Sequence, residues 1–246
     1  MDAIEEKIKE LQNQRRPAEY KEKPKNKNFY VAVVKNTPYM PDLTMVTLMY
    51  ASSLIGKIFN YITVTGSALT IARKRLLESL KKKMIEQGDD PRNNYVLFID
   101  SDIIINNSPQ ELAQILKEAE EKEINIAGLY KKQNGDSVII QVGSNDLAPI
   151  LLDSKSEDWN KYEKYIPTYK KWYYPLGFYY GKYLDFNYVF KMDLKGEDIY
   201  FVEDNDYMWS KTFIDKRINL GHNKNVTINS FQWFYENSNW NCKIQN

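Results

Sequence analysis

The feature that most constrains this chain is a series of short apolar runs separated by helix-length amphipathic stretches. The clearest run, Tyr95 to Ile99 in YVLFIDSD, contains no charged residue and has the pattern of a strand buried on both faces. Such a strand needs a helical layer on each side, which a parallel sheet with crossover helices supplies. FYVAVV at 29–34, NYITV at 60–64 and INIAGLY at 124–130 read the same way. Between them the sequence predicts helices over 43–55 with Asp42 as cap, over 67–87, and over 109–122, where Ser108 caps and Pro109 takes the first helical position. This alternation predicts a single α/β domain built on a doubly wound, mostly parallel sheet.

The flanks differ from this body. Ile4, Ile8 and Leu11 stand at helical spacing among charges in residues 4–16 and predict a short amphipathic helix, packed on the body or used for self-association. Residues 17–28, lysine-rich with Pro17 and Pro24, read as a linker. The chain thus divides into 1–28, a main domain at 29–226 and an extension at 227–246. The 34 Lys and Arg balance 33 Asp and Glu, which argues against a nucleic-acid partner. Cys242 is the one cysteine, which excludes an internal disulfide framework. No apolar stretch approaches the roughly 20 residues that span a bilayer. The expectation is a soluble, cytoplasmic protein without a transmembrane segment.

Asp100 and Asp102 end the most apolar run, and in an extended chain they project to the same side. Paired carboxylates beyond a strand suit a hard divalent cation, Mg²⁺ or Mn²⁺. A ribose hydroxyl or plain solvation are the other uses of acids in such a place. His222 is the only histidine and follows a β-like stretch, TFIDKRINL. Glu197 and Asp198 form a second acid pair at a turn, and Glu203 with Asp204 a third. Residues 162–207 concentrate aromatic rings, whose commoner role is packing.

The pieces GSALTIARKRLL, YVLFIDSDIII, INIAGLYKK and GEDIYFVEDNDYMWSKTFIDKRINLGH, in this order, resemble nucleotide-sugar glycosyltransferases of the GT-A fold, especially the compact versions of phages, archaeal viruses and their hosts. The resemblance spans residues 29–226 and implies a Rossmann-like sheet with a small β and aromatic region on the acceptor side. It implies that Asp100 and Asp102, with Ser101 between them, bind Mn²⁺ or Mg²⁺ and the diphosphate of a UDP- or GDP-sugar, and that His222 is a third metal ligand. Val34, Lys35 and Thr37 would lie beside the base, and Arg73 toward the donor. Asp198, or Glu197, would be the general base of an inverting transfer to an acceptor hydroxyl, near Trp172, Tyr174 and Gly177. The stretch VEDNDYMWSK departs from the family, which has a basic helix there, and brings Glu203 and Asp204 into competition for the base. A GT-A-like binding or structural protein without turnover is the alternative. A phosphatase of the haloacid dehalogenase type ranks below both, because its acid pair belongs on the first core strand.

Overall fold

The computed structural model describes residues 27–35, 40–65, 69–131, 137–145, 148–183 and 197–222. The first half runs β1 (Asn28–Lys35), α1 (Asp42–Leu54), β2 (Ile58–Thr65), α2 (Leu69–Glu86), β3 (Tyr95–Asp100), β4 (Ile103–Ile105), α3 (Pro109–Glu121) and β5 (Asn125–Ala127). The second half runs β6 (Ile140–Gln141), α4 (Glu157–Lys161), β7 (Tyr165–Pro167), β8 (Trp172–Tyr173), β9 (Phe178–Lys182), α5 (Glu197–Asp204), α6 (Asp206–Ser210), β10 (Thr212–Asp215) and β11 (Leu220–His222). The predicted helix at 4–16, the linker up to residue 26, the extension at 227–246 and Cys242 lie outside the described residues.

Seven strands form the main sheet in the order β2-β1-β3-β9-β5-β10-β7. β1 lies parallel to β2 and β3, and β5 parallel to β10. β9 separates these two parallel groups and runs antiparallel to both β3 and β5. β7 closes the far side, antiparallel to β10. The fold is therefore α/β with a mixed, mostly parallel central sheet, compatible with a Rossmann-like arrangement.

Period-two alternation sorts the core into two layers. Tyr30, Ala32 and Val34 of β1 and Val96 and Phe98 of β3 pack with Ala72, Leu76 and Leu80 of α2. Phe29, Val31, Val33, Leu97 and Ile99 pack on the other face with Leu48 of α1 and Leu112 and Leu116 of α3. Both faces are covered, which is why the runs carry no polar alternation. No helix among the described residues is long and apolar enough to cross a membrane.

Local signals set most element ends. Ser108 and Glu111 cap α3 reciprocally: the Glu111 amide donates to Ser108 Oγ at 3.3 Å, and the Ser108 amide to Glu111 Oε2 at 2.9 Å. Asp42 is not the cap expected of it. It is the first helical residue of α1, and Pro41 precedes it without a side-chain bond. The strand predicted through Tyr130 stops at Ala127. A Cβ on Gly128 would collide with Leu220 Cδ1 and lie 3.0 Å from Ile218 Cγ2. The side chains of Leu220 and Ile218 fill the space over Gly128, whose amide still donates to the Phe178 carbonyl at 3.1 Å.

The aromatic segment departs most from expectation. Its β8 does form a small sheet with β6, in which Trp172 faces Gln141. FYYGK at 178–182, however, is a fully interior strand of the main sheet, with Phe178, Tyr179 and Tyr180 wholly buried. A buried tyrosine keeps a polar tip that must be met, and Glu120 accepts the Tyr180 hydroxyl while also pairing with Lys57.

The β7 and β10 side is bound by charge. Arg217 forms a two-pronged contact with the buried Asp215, Nε to Oδ1 at 3.0 Å and Nη2 to Oδ2 at 2.7 Å. Its Nη1 reaches Glu118 Oε2 at 3.1 Å, and Glu118 also accepts from Lys164 and, at 3.2 Å, from Tyr165. Hydrogen bonding from Lys164, opposed by burial and aided by Arg217, holds the Glu118 carboxyl at about 2, below its ordinary 4.5. A depressed carboxylate stabilises the fold fully above its unfolded pKa and ceases to as pH falls through the folded one. Denaturant melts of wild type and Glu118→Gln should therefore differ most above about pH 4.5 and converge toward about pH 2. A gap that does not change with pH would refute this assignment.

Candidate functional site at the carboxyl edge of the sheet

The connection leaving β1 runs to β2, on one side of it, and the connection leaving β3 runs toward β5, on the other. The crevice between the ends of β1 and β3 is thus a topological switch point, where open α/β sheets bind ligands. Val34 stands in register with Asp100 across that crevice. Only the backbone of Lys35 is described there, beside Val34, and Thr37 lies outside the described residues.

Asp100 is the last residue of β3, and Ser101 and Asp102 form a turn rather than a continued strand. The same-side argument for an extended D-x-D therefore does not apply as expected. The turn places the acids instead, and it is held from both sides. Ser101 is buried, and the following β4 is wholly buried. Thr44 of α1 donates to the Ile103 carbonyl at 3.1 Å and accepts from the Ile105 amide at 3.2 Å. The Asp100 amide donates to the Gly177 carbonyl at 3.0 Å.

Arg73 of α2 is 4% exposed at its side chain, against 23% for Asp100, and its Nη2 lies 3.5 Å from Asp100 Oδ1. This pair is looser than the fork of Arg217 on Asp215. Asp100 shares the sheet face that α2 covers, so a buried guanidinium lies beside the carboxylate at the mouth of the crevice.

β11 pairs antiparallel with β4, bringing His222 opposite Ile103, one residue from Asp102. For His222, Glu197 and Asp198 the backbone is described and the side chains are not. Asn107 fixes the approach of this strand. It is buried, its Nδ2 donates to the Arg217 carbonyl at 2.9 Å, and its Oδ1 accepts from the Asn219 amide at 2.8 Å. The Asn106 amide adds a bond to the Asn219 carbonyl at 2.9 Å. Sequence reading missed Asn107 and Thr44. Their partners lie about a hundred and about sixty positions away, and no local pattern marks them.

The acid pair Glu197 and Asp198 opens α5, so it belongs to a helical first turn rather than to a free turn. α5 packs through Phe201 and Val202 on the sheet face to which Asp100 belongs. The competing Glu203 accepts the Tyr173 hydroxyl at 2.6 Å, and burial together with this carboxylate pushes the Tyr173 phenol above its ordinary range.

The rings predicted to line an acceptor are core instead. Trp172 is buried and donates its indole N–H to Asp158 at 2.6 Å. Tyr174 is buried and stacks on Tyr179 with centroids 5.6 Å apart. Stacking on a sugar face needs an open ring face, so these two do not serve as expected. Tyr173 is half-buried and stacks on Trp209 at 5.6 Å. Gly177 is needed for space: an added Cβ would collide with the Tyr130 hydroxyl and lie 2.8 Å from Tyr130 Cζ.

Two carboxylates on a turn are a donor set that a hard cation accepts, because Mg²⁺ and Mn²⁺ complete their shells with water and phosphate oxygens. Among the described residues no group of three His, Cys, Asp or Glu side chains is placed to hold a metal. Asp100 and Asp102 lie on this turn, with the backbone of His222 opposite Ile103.

No protein-family model matches this sequence, and no curated protein matches it.

Removing the Asn107 side chain strips two part-buried hydrogen bonds, each worth about 0.5–1.5 kcal/mol. Asn107→Ala should lower unfolding free energy by about 1–3 kcal/mol in urea melts. A change within a few tenths would show that β11 does not depend on this clamp.

Proposed function

We propose that the protein is a metal-dependent glycosyltransferase of the GT-A type, moving a sugar from a UDP- or GDP-sugar to an acceptor hydroxyl. The observation that supports this reading is that Asp100, beside the buried Arg73, ends β3 at the switch point, and that the strand ending in His222 pairs with β4 just after the Asp102 turn. The resemblance of GSALTIARKRLL, YVLFIDSDIII, INIAGLYKK and GEDIYFVEDNDYMWSKTFIDKRINLGH to nucleotide-sugar transferases suggests the activity.

In this reading Asp100 and Asp102, with His222 as third ligand, hold Mg²⁺ or Mn²⁺. The cation supplies Lewis-acid neutralisation of the leaving diphosphate. Arg73 sets a fixed positive charge beside Asp100 in a site half-shielded from water, where charge acts more strongly than in bulk. Asp198, at the start of α5, takes the proton from the acceptor hydroxyl as it attacks, with Glu197 second in place. Glu203 is engaged by Tyr173, which favours the earlier pair as the base.

A binding or structural domain without turnover is the second reading, favoured by the burial of Arg73 against Asp100. Such a pair could serve only to close the crevice. The phosphatase reading gains nothing here, since Asp100 ends the third strand in chain order.

The deciding experiment is hydrolysis and transfer with a panel of UDP- and GDP-sugars, with Mn²⁺, Mg²⁺ or chelator. Nucleotide diphosphate release should require the cation and fall by about 10²-fold or more in Asp102→Ala, the scale of losing a charge-stabilising group. Asp198→Asn should keep donor binding and lose transfer. Absence of both turnover and donor binding with metal present would overturn the proposal and favour the second reading.

A further inference from the structure

β2 ends the main sheet, and no described strand lies beyond it. It keeps an unbroken parallel register with β1, and the Ile58 amide donates to the Lys27 carbonyl on that side. Backbone groups alternate in direction along a strand, so those of Phe59 and Thr63 point to the outer edge. An edge of this kind is ordinarily blunted by a charge, a proline or a bulge, because it pairs readily with another strand. IFNYITVT contains no charge and no proline, and its register has no bulge.

The surface beside this edge is equally neutral. Residues 43–65 hold one charged residue, Lys57, in a chain that is 27% charged. Lys57 is buried along its length and paired with Glu120. α1 lies in the corner between the sheet and α3, with Thr44, Thr47, Leu48, Ala51 and Ser52 on its buried side. Its opposite side therefore turns outward and toward the β2 edge. That side carries Val46, Met49, Tyr50 and Leu54, between 45 and 63% exposed. On the other face of the sheet, covered by α2, alternation places Ile58 with Ile62 and Val64, and Ile58 is 63% exposed. Apolar surface depleted of charge is what the centre of a protein interface looks like.

The occupant must cover both the strand edge and the helix beside it. A lone peptide strand would fill the edge and leave the α1 side chains in water. A second copy of the chain brings its own β2 and its own α1. A two-fold axis perpendicular to the sheet pairs β2 antiparallel with its copy and sets α1 beside α1 on one face and α2 beside α2 on the other. Outward residues must oppose outward residues, and an axis at Tyr61 gives the longest overlap. Phe59 then faces Thr63 of the other copy, and the exposed Ile58 faces its Val64. The seven paired positions, 58–64, run about 23 Å, and a helix about 10 Å across on each face makes the contact about 25–30 Å high. That is roughly 600–700 Å² per copy, near the ~800 Å² of a standard interface. Two neutral surfaces meet without the cost of like charges.

We infer that the protein forms a symmetric dimer through β2, continuing its sheet into a second copy with the two α1 helices side by side. The inference is independent of the proposed activity.

Sedimentation of the full chain should show a dimer at about 50 μM that dissociates on dilution. Tyr50→Glu with Leu54→Glu, both at exposed positions, should raise the dissociation constant at least about tenfold and leave the thermal melt of the monomer unchanged. Register is read by disulfide formation in the Cys242→Ser background. Ile58→Cys with Val64→Cys should oxidise to a covalent dimer, because facing residues of a non-hydrogen-bonded pair lie about 4.5 Å apart, within disulfide reach. The same two positions within one chain are about 20 Å apart, as are the two copies of Ile58 in this register, so Ile58→Cys alone should not cross-link. A chain that stays monomeric up to about 100 μM overturns the inference. A dimer indifferent to the glutamates, in which the double cysteine variant cross-links no faster than Ile58→Cys alone, also overturns it and shows that the copies meet elsewhere.

Discussion

The structure depends on strand β9 lying antiparallel between two parallel groups of strands. β3 and β5 each present a row of backbone donors and acceptors toward the middle of the sheet, and buried groups of this kind must be paired. β9 meets both rows at once, from Lys182 opposite Tyr95 to Phe178 opposite Ile99, and from Tyr180 opposite Ile126 to Tyr179 opposite Ala127. Its side chains supply both core layers, Phe178 and Tyr180 to one and Tyr179 to the other. Without it the sheet would be two fragments with inner edges open.

The same strand positions the candidate site. Gly177 immediately precedes it, accepts the Asp100 amide and leaves room for Tyr130. The carboxylate turn is thus seated by the strand that joins the halves of the sheet. Thr44 below and Asn107 beside it add polar anchors, so β4 and β11 form a small two-stranded unit at the carboxyl edge. A turn held by such hydrogen bonds keeps its carboxylates in one place.

Part of this was legible in the chain. The alternation of β1, α1, β2, α2, β3 and α3 followed mainly from apolar runs, because burial on two faces leaves an unbroken pattern, and the start of α3 from the local signal of Ser108 with Pro109. The acids after Ile99 were legible for the same reason, but the turn that carries Asp102 was not, since the pair was expected on an extended chain. The central strand within 162–207 was not recognised. Aromatic residues suit loops, edges and strands alike, and FYYGK holds a glycine and a lysine that weaken the strand signal. There Gly181 makes room for the Tyr179 ring, with a Cβ position 2.7 Å from Tyr179 Cζ, a packing reason that no short window reveals.

The sequence by itself determined the class of the fold and the carboxylates at the end of its most apolar strand, since both are written in neighbouring residues. Tertiary structure alone decided the order of the strands, the mixed direction of the sheet and the burial of Trp172 and Tyr174. It also decided that Arg73 lies by Asp100 and that the strand of His222 lies by Ile103. These are contacts between residues tens to more than a hundred positions apart. They arise from closing the backbone hydrogen bonds of a whole sheet and filling the space over both its faces.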